Sequence, residues 1–126
     1  MKNMKNSKKI IGFKDITFSI NGKKYTLNVR PCKTLLSKFR GLMFNSNPLN
    51  LLFMFNKEKT LSIHSFFCKP FIAIWLDKDF IVTKLEEVKK TKINISGKGK
   101  YLIEIPSTNK SYEFYRRVAT KHLNTK

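Results

Sequence analysis

Acidic residues are scarce in this chain: 8 Asp and Glu stand against 26 Lys and Arg, giving a net charge of +18 over 126 residues. Arginine is scarce too, at 4 residues against 22 lysines. Its planar fork is the group best matched to phosphates and base edges, so the type most useful for sequence-specific nucleic-acid readout is nearly absent. Cysteine is limited to Cys32 and Cys68, with no CxxC pair and no metal-ligand spacing. That excludes a disulfide scaffold or a zinc finger and predicts two free thiols in a reducing compartment. No apolar run approaches the roughly 18 residues of a membrane span. The basic first residues lack the apolar stretch of a secretory signal. A soluble, cytoplasmic protein with no membrane attachment is the expectation. No Ser-His-Asp order, nucleotide fingerprint or glycine-rich phosphate loop is present, so no catalytic residue, metal or cofactor is assigned, and an enzyme is the less favoured class.

What the chain does have is enough apolar and aromatic residues for a core, 41% and 13%, and a length suited to one domain. The charge is spread along it: +6 over residues 1–24, +5 over 25–80 and +7 over 81–126. Lys, Asn, Ile, Phe, Tyr and Met together make 64 of the 126 residues, the skew that AT-rich codons produce. Two accounts of the charge therefore stand, codon drift and a selected polyanion surface. Either one implies weak, salt-sensitive, non-specific attraction for nucleic acid.

Residues 1–12 read as a disordered basic lead-in, 13–118 as a single β domain, and 119–126 as a frayed basic tail. Ile16, Phe18 and Ile20 alternate with polar residues, as do Tyr25, Leu27 and Val29. Asn21-Gly22 between them predicts a type I′ hairpin, with Pro31 stopping the second strand. Thr34 is placed to cap a short helix through Arg40, closed by Gly41. Residues 49–55, 62–67 and 71–76 read as three strands and Asp77-Lys78-Asp79 as a turn. Residues 80–88 form a further strand, with Ile81, Thr83 and Leu85 on one face and Val82 and Lys84 on the other. Residues 91–95 read as a possible partner for it, Gly97-Lys98-Gly99 as a break, and residues 100–105 as a last strand stopped by Pro106. Tyr112, Phe114 and Tyr115 place the beginning of the tail against the domain. This pattern predicts a mainly β protein, a compact antiparallel β-sandwich or barrel with one short helix.

Residues 63–77 are the most apolar part of the chain and enclose a single histidine, His64. Two readings apply: a core imidazole bonded to backbone, and an acid-base or ligand-binding residue that titrates near neutrality. Arg40-Gly41 likewise reads as a helix C-terminus complementing its dipole, or as a guanidinium beside a glycine-exposed amide that receives an anion. Met43 and Met54 read as core filler, and Asp77 with Asp79 as a turn rather than a carboxylate pair.

Arg40-Gly41-Leu42-Met43-Phe44, Leu51-Leu52-Phe53-Met54-Phe55, Ile63-His64-Ser65-Phe66-Phe67 leading to Trp75-Leu76-Asp77, and Tyr101-Leu102-Ile103-Glu104-Ile105-Pro106 stand in the order and spacing of a known family. In these blocks, over residues 24–106, the chain resembles the domain-of-unknown-function 192 family, small single-domain proteins of bacteria and archaea, in its archaeal form. The resemblance implies a compact β-sandwich or barrel with a minor helix, and no established activity. Two departures stand out. The family's Pro-(Ile/Leu)-Asp is Pro70-Phe71-Ile72 here, so an acidic position is apolar and any site that used it is altered. The second is at Asn50-Leu51-Leu52-Phe53, where the first position of the family's glycine-methionine-leucine-phenylalanine block differs. The functional expectation is a non-catalytic binding module for an unknown ligand or protein partner, with a pocket near Arg40, Gly41 and His64. The alternative is a lysine-rich, non-specific nucleic-acid-binding protein.

Overall fold

The computed structural model describes residues 13–32, 49–63, 70–88 and 95–124. Within them the chain forms strands β1 (Lys14–Ile20), β2 (Lys23–Cys32), β3 (Leu51–Ile63), β4 (Phe71–Leu76), β5 (Val82–Val88) and β6 (Ile95–Pro106), followed by helix α1 (Tyr112–Asn124). The strands make one six-stranded sheet in the order β1-β2-β3-β6-β4-β5. β2 and β3 run parallel, and the other four neighbouring pairs are antiparallel. The sheet curls until its two outer members meet. Ser19 of β1 bridges to Ile81 in parallel sense, and its N–H donates to the Phe80 carbonyl at 2.9 Å. The mainly β architecture expected from the pattern is present as a half-barrel, with α1 as its short helix.

The concave face carries the main core. Ile16, Phe18, Leu27, Val29, Leu52, Ile72, Ile74, Leu76, Ile103 and Ile105 are buried there together with Tyr112, Tyr115 and Ala119 of α1. A second cluster lies on the opposite face, built from Leu51, Phe53, Phe71, Ala73, Trp75, Val88 and Leu102. β4 separates the two, and all six of its residues are buried. Each large side chain fully withdrawn from water there stabilises the fold by roughly 1.5–3 kcal/mol. The apolar stretch from Phe71 to Leu76 thus lies at the centre of the fold, as its composition predicts.

The β1–β2 hairpin forms as its sequence dictates. Asn21 has φ 50° and Gly22 φ 86°, both left-handed, as a type I′ turn requires. Ile20 pairs with Lys23 and Phe18 with Tyr25. Pro31 does not end β2, which continues to Cys32: Arg30, Pro31 and Cys32 pair with Leu51, Leu52 and Phe53 in the short parallel ladder.

Three further expectations are corrected. Residues 51–55 and 62–63 belong to one long strand, β3, which passes through the polar residues Asn56 to Thr60 with a register shift between Met54 and Lys59, while 64–67 lie outside the described residues. Within β3, Leu51, Leu52 and Phe53 are buried but Met54 is 43% exposed, so it lies at the rim and does not fill the core. Gly97-Lys98-Gly99 is not a break but the first part of β6. The two glycines are there because neighbours approach too closely for a side chain. A Cβ on Gly97 would lie 2.6 Å from Trp75 Cδ2, and one on Gly99 2.6 Å from the Leu76 carbonyl oxygen.

The faces of β5 are shifted as well. Trp75 pairs with Lys84 and Leu76 with Val82, so Thr83 is an extra residue in a bulge. Its hydroxyl donates to the Trp75 carbonyl at 3.3 Å and to the Lys98 carbonyl. The bulge turns Val82 onto the same concave face as Leu85, while Ile81 is left 48% exposed. In the preceding turn, Asp77 Oδ1 accepts the N–H groups of Asp79 at 2.8 Å and Ile81 at 3.0 Å. Phe80 has φ 62°, unfavourable for a bulky residue. Its ring stacks on Tyr101 at 4.4 Å and its N–H donates to the Asp77 carbonyl at 3.0 Å, which together hold it.

The segment 34–40, where a helix is expected, and residues 91–94 lie outside the described residues. The tail, where packing followed by fraying is expected, holds α1. Ser111 accepts the first helical hydrogen bond from Tyr115 N–H at 3.2 Å, and Asn109 Oδ1 receives the Ser111 N–H at 2.8 Å. Glu113 in the first turn complements the helix dipole and pairs with Arg116 at 2.8 Å. Tyr112, Tyr115 and Ala119 recur on one helical face and are buried. Gly97→Ala is expected to displace the Trp75 ring and lower stability by about 1–3 kcal/mol. Thermal unfolding followed by tryptophan emission measures this; an unchanged midpoint and spectrum would contradict the close packing.

Candidate functional site

Arg40, Gly41 and His64, the residues favoured by sequence, lie outside the described residues, as do Met43 and Cys68. The side chain of His122 does too. Their proposed pocket therefore has no described geometry. Among the described residues, no group of three His, Cys, Asp or Glu side chains comes close enough to hold a metal ion. No described helix is long and apolar enough to cross a membrane.

Two features depart from an ordinary core. The first is on the convex face, where Glu104 of β6 is completely buried. In the ladder it stands between Leu51 and Ala73, and Ala73 has Glu86 as its other neighbour. Lys84 approaches Glu86 at 3.4 Å and lies over the Trp75 ring at 5.2 Å, with its ammonium donating to the Ser96 carbonyl at 2.6 Å. Close by, Asn50 ties the start of β3 to β2: its Nδ2 donates to the Asn28 carbonyl at 3.1 Å and its carbonyl accepts the Arg30 N–H at 2.8 Å. Glu104 and Asn50 are enclosed, and Lys84 and Asn50 tie neighbouring strands together.

The second feature is open. A groove of about 700 Å³ runs between the β1–β2 hairpin and α1, lined by Lys23, Lys24, Tyr25, Phe114 and Lys121 among others. Along the helix it continues into a hollow of about 500 Å³ that shares Phe114, Val118 and Lys121 and adds Arg117. Among the described residues no carboxylate lines either part. The hairpin geometry brings Lys23 and Lys24 to the strand immediately after the turn. The helical repeat brings Phe114, Arg117 and Lys121 to one side of α1 at intervals of three and four residues.

Two aromatic rings line the groove, Tyr25 and Phe114, and the buried Phe18 and Tyr115 back them. Tyr115 meets Phe18 with centroids 6.1 Å apart and meets Tyr25 edge-on at 6.1 Å. Tyr25 stacks on Phe18 at 6.1 Å. Phe114 sits at the edge of this group, 5.9 Å from Tyr25 and perpendicular to Tyr115 at 4.9 Å, and remains 44% exposed. Of the two adjacent arginines, Arg116 is held by Glu113 through both Nε at 2.9 Å and Nη2 at 2.8 Å. That partner lowers the Glu113 pKa and raises that of Arg116. Arg117 makes no such bidentate contact. The arrangement can receive a negatively charged group on its lysines and a flat apolar one on Phe114.

None of these groove residues was singled out as a site by the sequence, although Lys23-Lys24 beside the Asn-Gly turn was visible there. The helical repeat of Tyr112, Tyr115 and Ala119 leaves Phe114 off the buried stripe, and that was the signal available.

Comparison with known proteins gives the fold a context. No protein-family model matches the chain, and no curated protein does. Among solved structures it is similar to a "putative transcription regulator" from Sinorhizobium meliloti 1021, with a TM-score of 0.61 at 15% identity over 81% of each chain. It is equally similar to a protein of unknown function from Novosphingobium aromaticivorans DSM 12444, with a TM-score of 0.61 at 15% identity, covering 76% of this chain and 74% of that one. At that identity the likeness is one of fold.

The buried tyrosines of α1 also make the fold sensitive to base. Burial pushes the Tyr115 phenol up to about 12. Burial, and the hydrogen bond that the Tyr112 hydroxyl donates to Glu87 at 2.8 Å, raise the Tyr112 phenol as well. A raised phenol pKa means that the folded state favours the neutral form. The associated stability is present below the unfolded value near 10 and is lost as pH rises from about 10 towards 12. Phenolate absorbance is expected to show two late-titrating tyrosines, and Tyr115→Phe is expected to reduce the alkaline loss of stability. Titration of all four tyrosines near pH 10 in the folded protein would contradict this.

Proposed function

We propose that this chain is a non-catalytic binding module for an anionic polymer, engaged in the groove between the β1–β2 hairpin and α1. The observation that carries this reading is the set of cations Lys23, Lys24, Arg117 and Lys121, besides the Glu113-paired Arg116, bordering an open aromatic surface that no carboxylate among the described residues lines. A uniformly lysine-rich surface scatters its charge among acids. Here the cations are gathered where Lys23 and Lys24 of the hairpin and Lys121 of the helix line the same hollow. The chain's net charge adds long-range attraction, and the groove gives that attraction a place. Membership of the domain-of-unknown-function 192 family belongs to the same proposal; the half-barrel fold supports it, as do the four sequence blocks. The description of the Sinorhizobium meliloti protein as a regulator fits a polyanion ligand, though the likeness is of fold alone. The pocket around Arg40, Gly41 and His64 has no described geometry to support it, so the groove takes its place as the proposed site.

Two paired charge reversals separate a groove from general electrostatics, because both change the net charge equally. Lys24→Glu with Lys121→Glu is expected to weaken binding of inorganic polyphosphate about tenfold or more at fixed salt. Lys57→Glu with Lys110→Glu, outside the groove, is expected to weaken it by no more than about threefold. Calorimetric titration measures both. Equal losses would show that net charge alone attracts the polymer and would remove the groove reading.

A further inference from the structure

Phe114 lies on the wrong side of its helix for a core residue. The buried stripe of α1 is Tyr112, Tyr115 and Ala119, and Phe114 stands off it with 44% of its surface exposed. Its ring is nonetheless fixed in place, perpendicular to Tyr115 at 4.9 Å and tilted 54° against Tyr25 at 5.9 Å. A large, pre-oriented aromatic surface is thus presented to solvent at the meeting point of the two hollows, both of which it lines. Along the helix the cations follow it in order: at 1.5 Å per residue, Arg117 lies about 4.5 Å and Lys121 about 10 Å further on. Lys23 and Lys24 of the hairpin line the groove together with Lys121.

A polyphosphate or a carboxylate chain would use the cations and leave the ring idle. A duplex keeps the faces of its bases stacked internally and would also leave it idle. An unpaired strand uses both kinds of group, because each of its phosphates is followed by a base with an exposed face, and stacking on an aromatic side chain tolerates any base. We infer that the groove takes single-stranded nucleic acid, with one base stacked on Phe114 and the neighbouring phosphates on Lys23, Lys24, Arg117 and Lys121. This inference rests on the anionic-polymer reading above and names the class of polymer. Recognition of this kind is independent of sequence, in keeping with the shortage of arginine. With four phosphates neutralised, log affinity is expected to fall with log salt at a slope of about −3.

The test is fluorescence anisotropy of labelled oligo(dT) and oligo(U) on the full chain, with inorganic polyphosphate titrated in parallel. Phe114→Ala is expected to weaken oligonucleotide binding about ten- to a hundredfold, and to leave polyphosphate binding within about twofold. Phe114→Trp is expected to retain oligonucleotide binding. Phe114→Leu, which keeps apolar cover over Tyr25 and Tyr115, is expected to lose it as Phe114→Ala does, so a loss cannot be laid to unfolding. If Phe114→Ala binds oligonucleotide as well as the parent, or if a duplex of equal length competes equally, the single-strand inference is overturned while the polyphosphate result still decides the broader reading. Phe114-dependent binding to phosphatidylserine vesicles in preference to oligonucleotide would overturn it in favour of a membrane surface. Failure of polyphosphate to bind at the groove would remove both.

Discussion

Strand β4 has no solvent face, and the rest of the molecule is arranged to satisfy it. Five of its six side chains are pure hydrocarbon, so the strand's backbone groups need partners on both edges, which β5 and β6 supply. Ile72, Ile74 and Leu76 require a filled concavity, which the curl of the sheet and the docking of α1 provide. Phe71 and Trp75 require cover on the convex side. The demand spreads to β6, where Leu102 and Ile103 are both fully buried although they face opposite ways. It also spreads to Gly97, whose missing side chain is what lets backbone lie against the Trp75 ring.

What could be read from the sequence was what depends on near neighbours. The hairpin needed only Asn21-Gly22 and two alternating runs, and the Asp77 turn only the reach of one carboxylate to its own following backbone. Burial of residues 71–76 followed from their unbroken apolarity. The misreadings share a different origin. Gly97 and Gly99 signal a break in isolation, but their meaning is set by Trp75 and Leu76, more than 20 residues earlier. The Thr83 bulge reverses the faces that strict alternation assigned to Val82, and nothing local to β5 announces it. Met54 is apolar like the three residues before it, yet it falls where the sheet has run out of neighbours to cover it.

The candidate site was less legible for the same reason. Lys23 and Lys121 are almost the whole length of the domain apart in sequence, and only the curl of the sheet with α1 packed against it brings them to one hollow. Extreme charge spread evenly along the chain concealed a local gathering, because linear distribution says little about distribution in space. Of the residues that sequence marks most strongly, His64 stands out as an isolated polar ring in apolar surroundings and Arg40 as a guanidinium beside a glycine. Phe114 is the converse, an aromatic ring in polar surroundings.

The seam between Ser19 and Phe80 has a consequence for how copies of the molecule behave towards one another. A fully closed barrel has no edges, but this sheet is joined at one point, and among the described residues the stretch of β1 before Ser19 has β2 on one side only. Such an edge offers unpaired amides to the same edge of a second molecule. Two strands pair at a separation of about 4.8 Å, inside the screening length of about 8 Å at physiological salt. Repulsion between two chains of charge +18 therefore still acts at the distance where an edge would be captured. Lysine excess, whether or not codon composition produced it, opposes the edge-to-edge capture that an incompletely closed barrel invites.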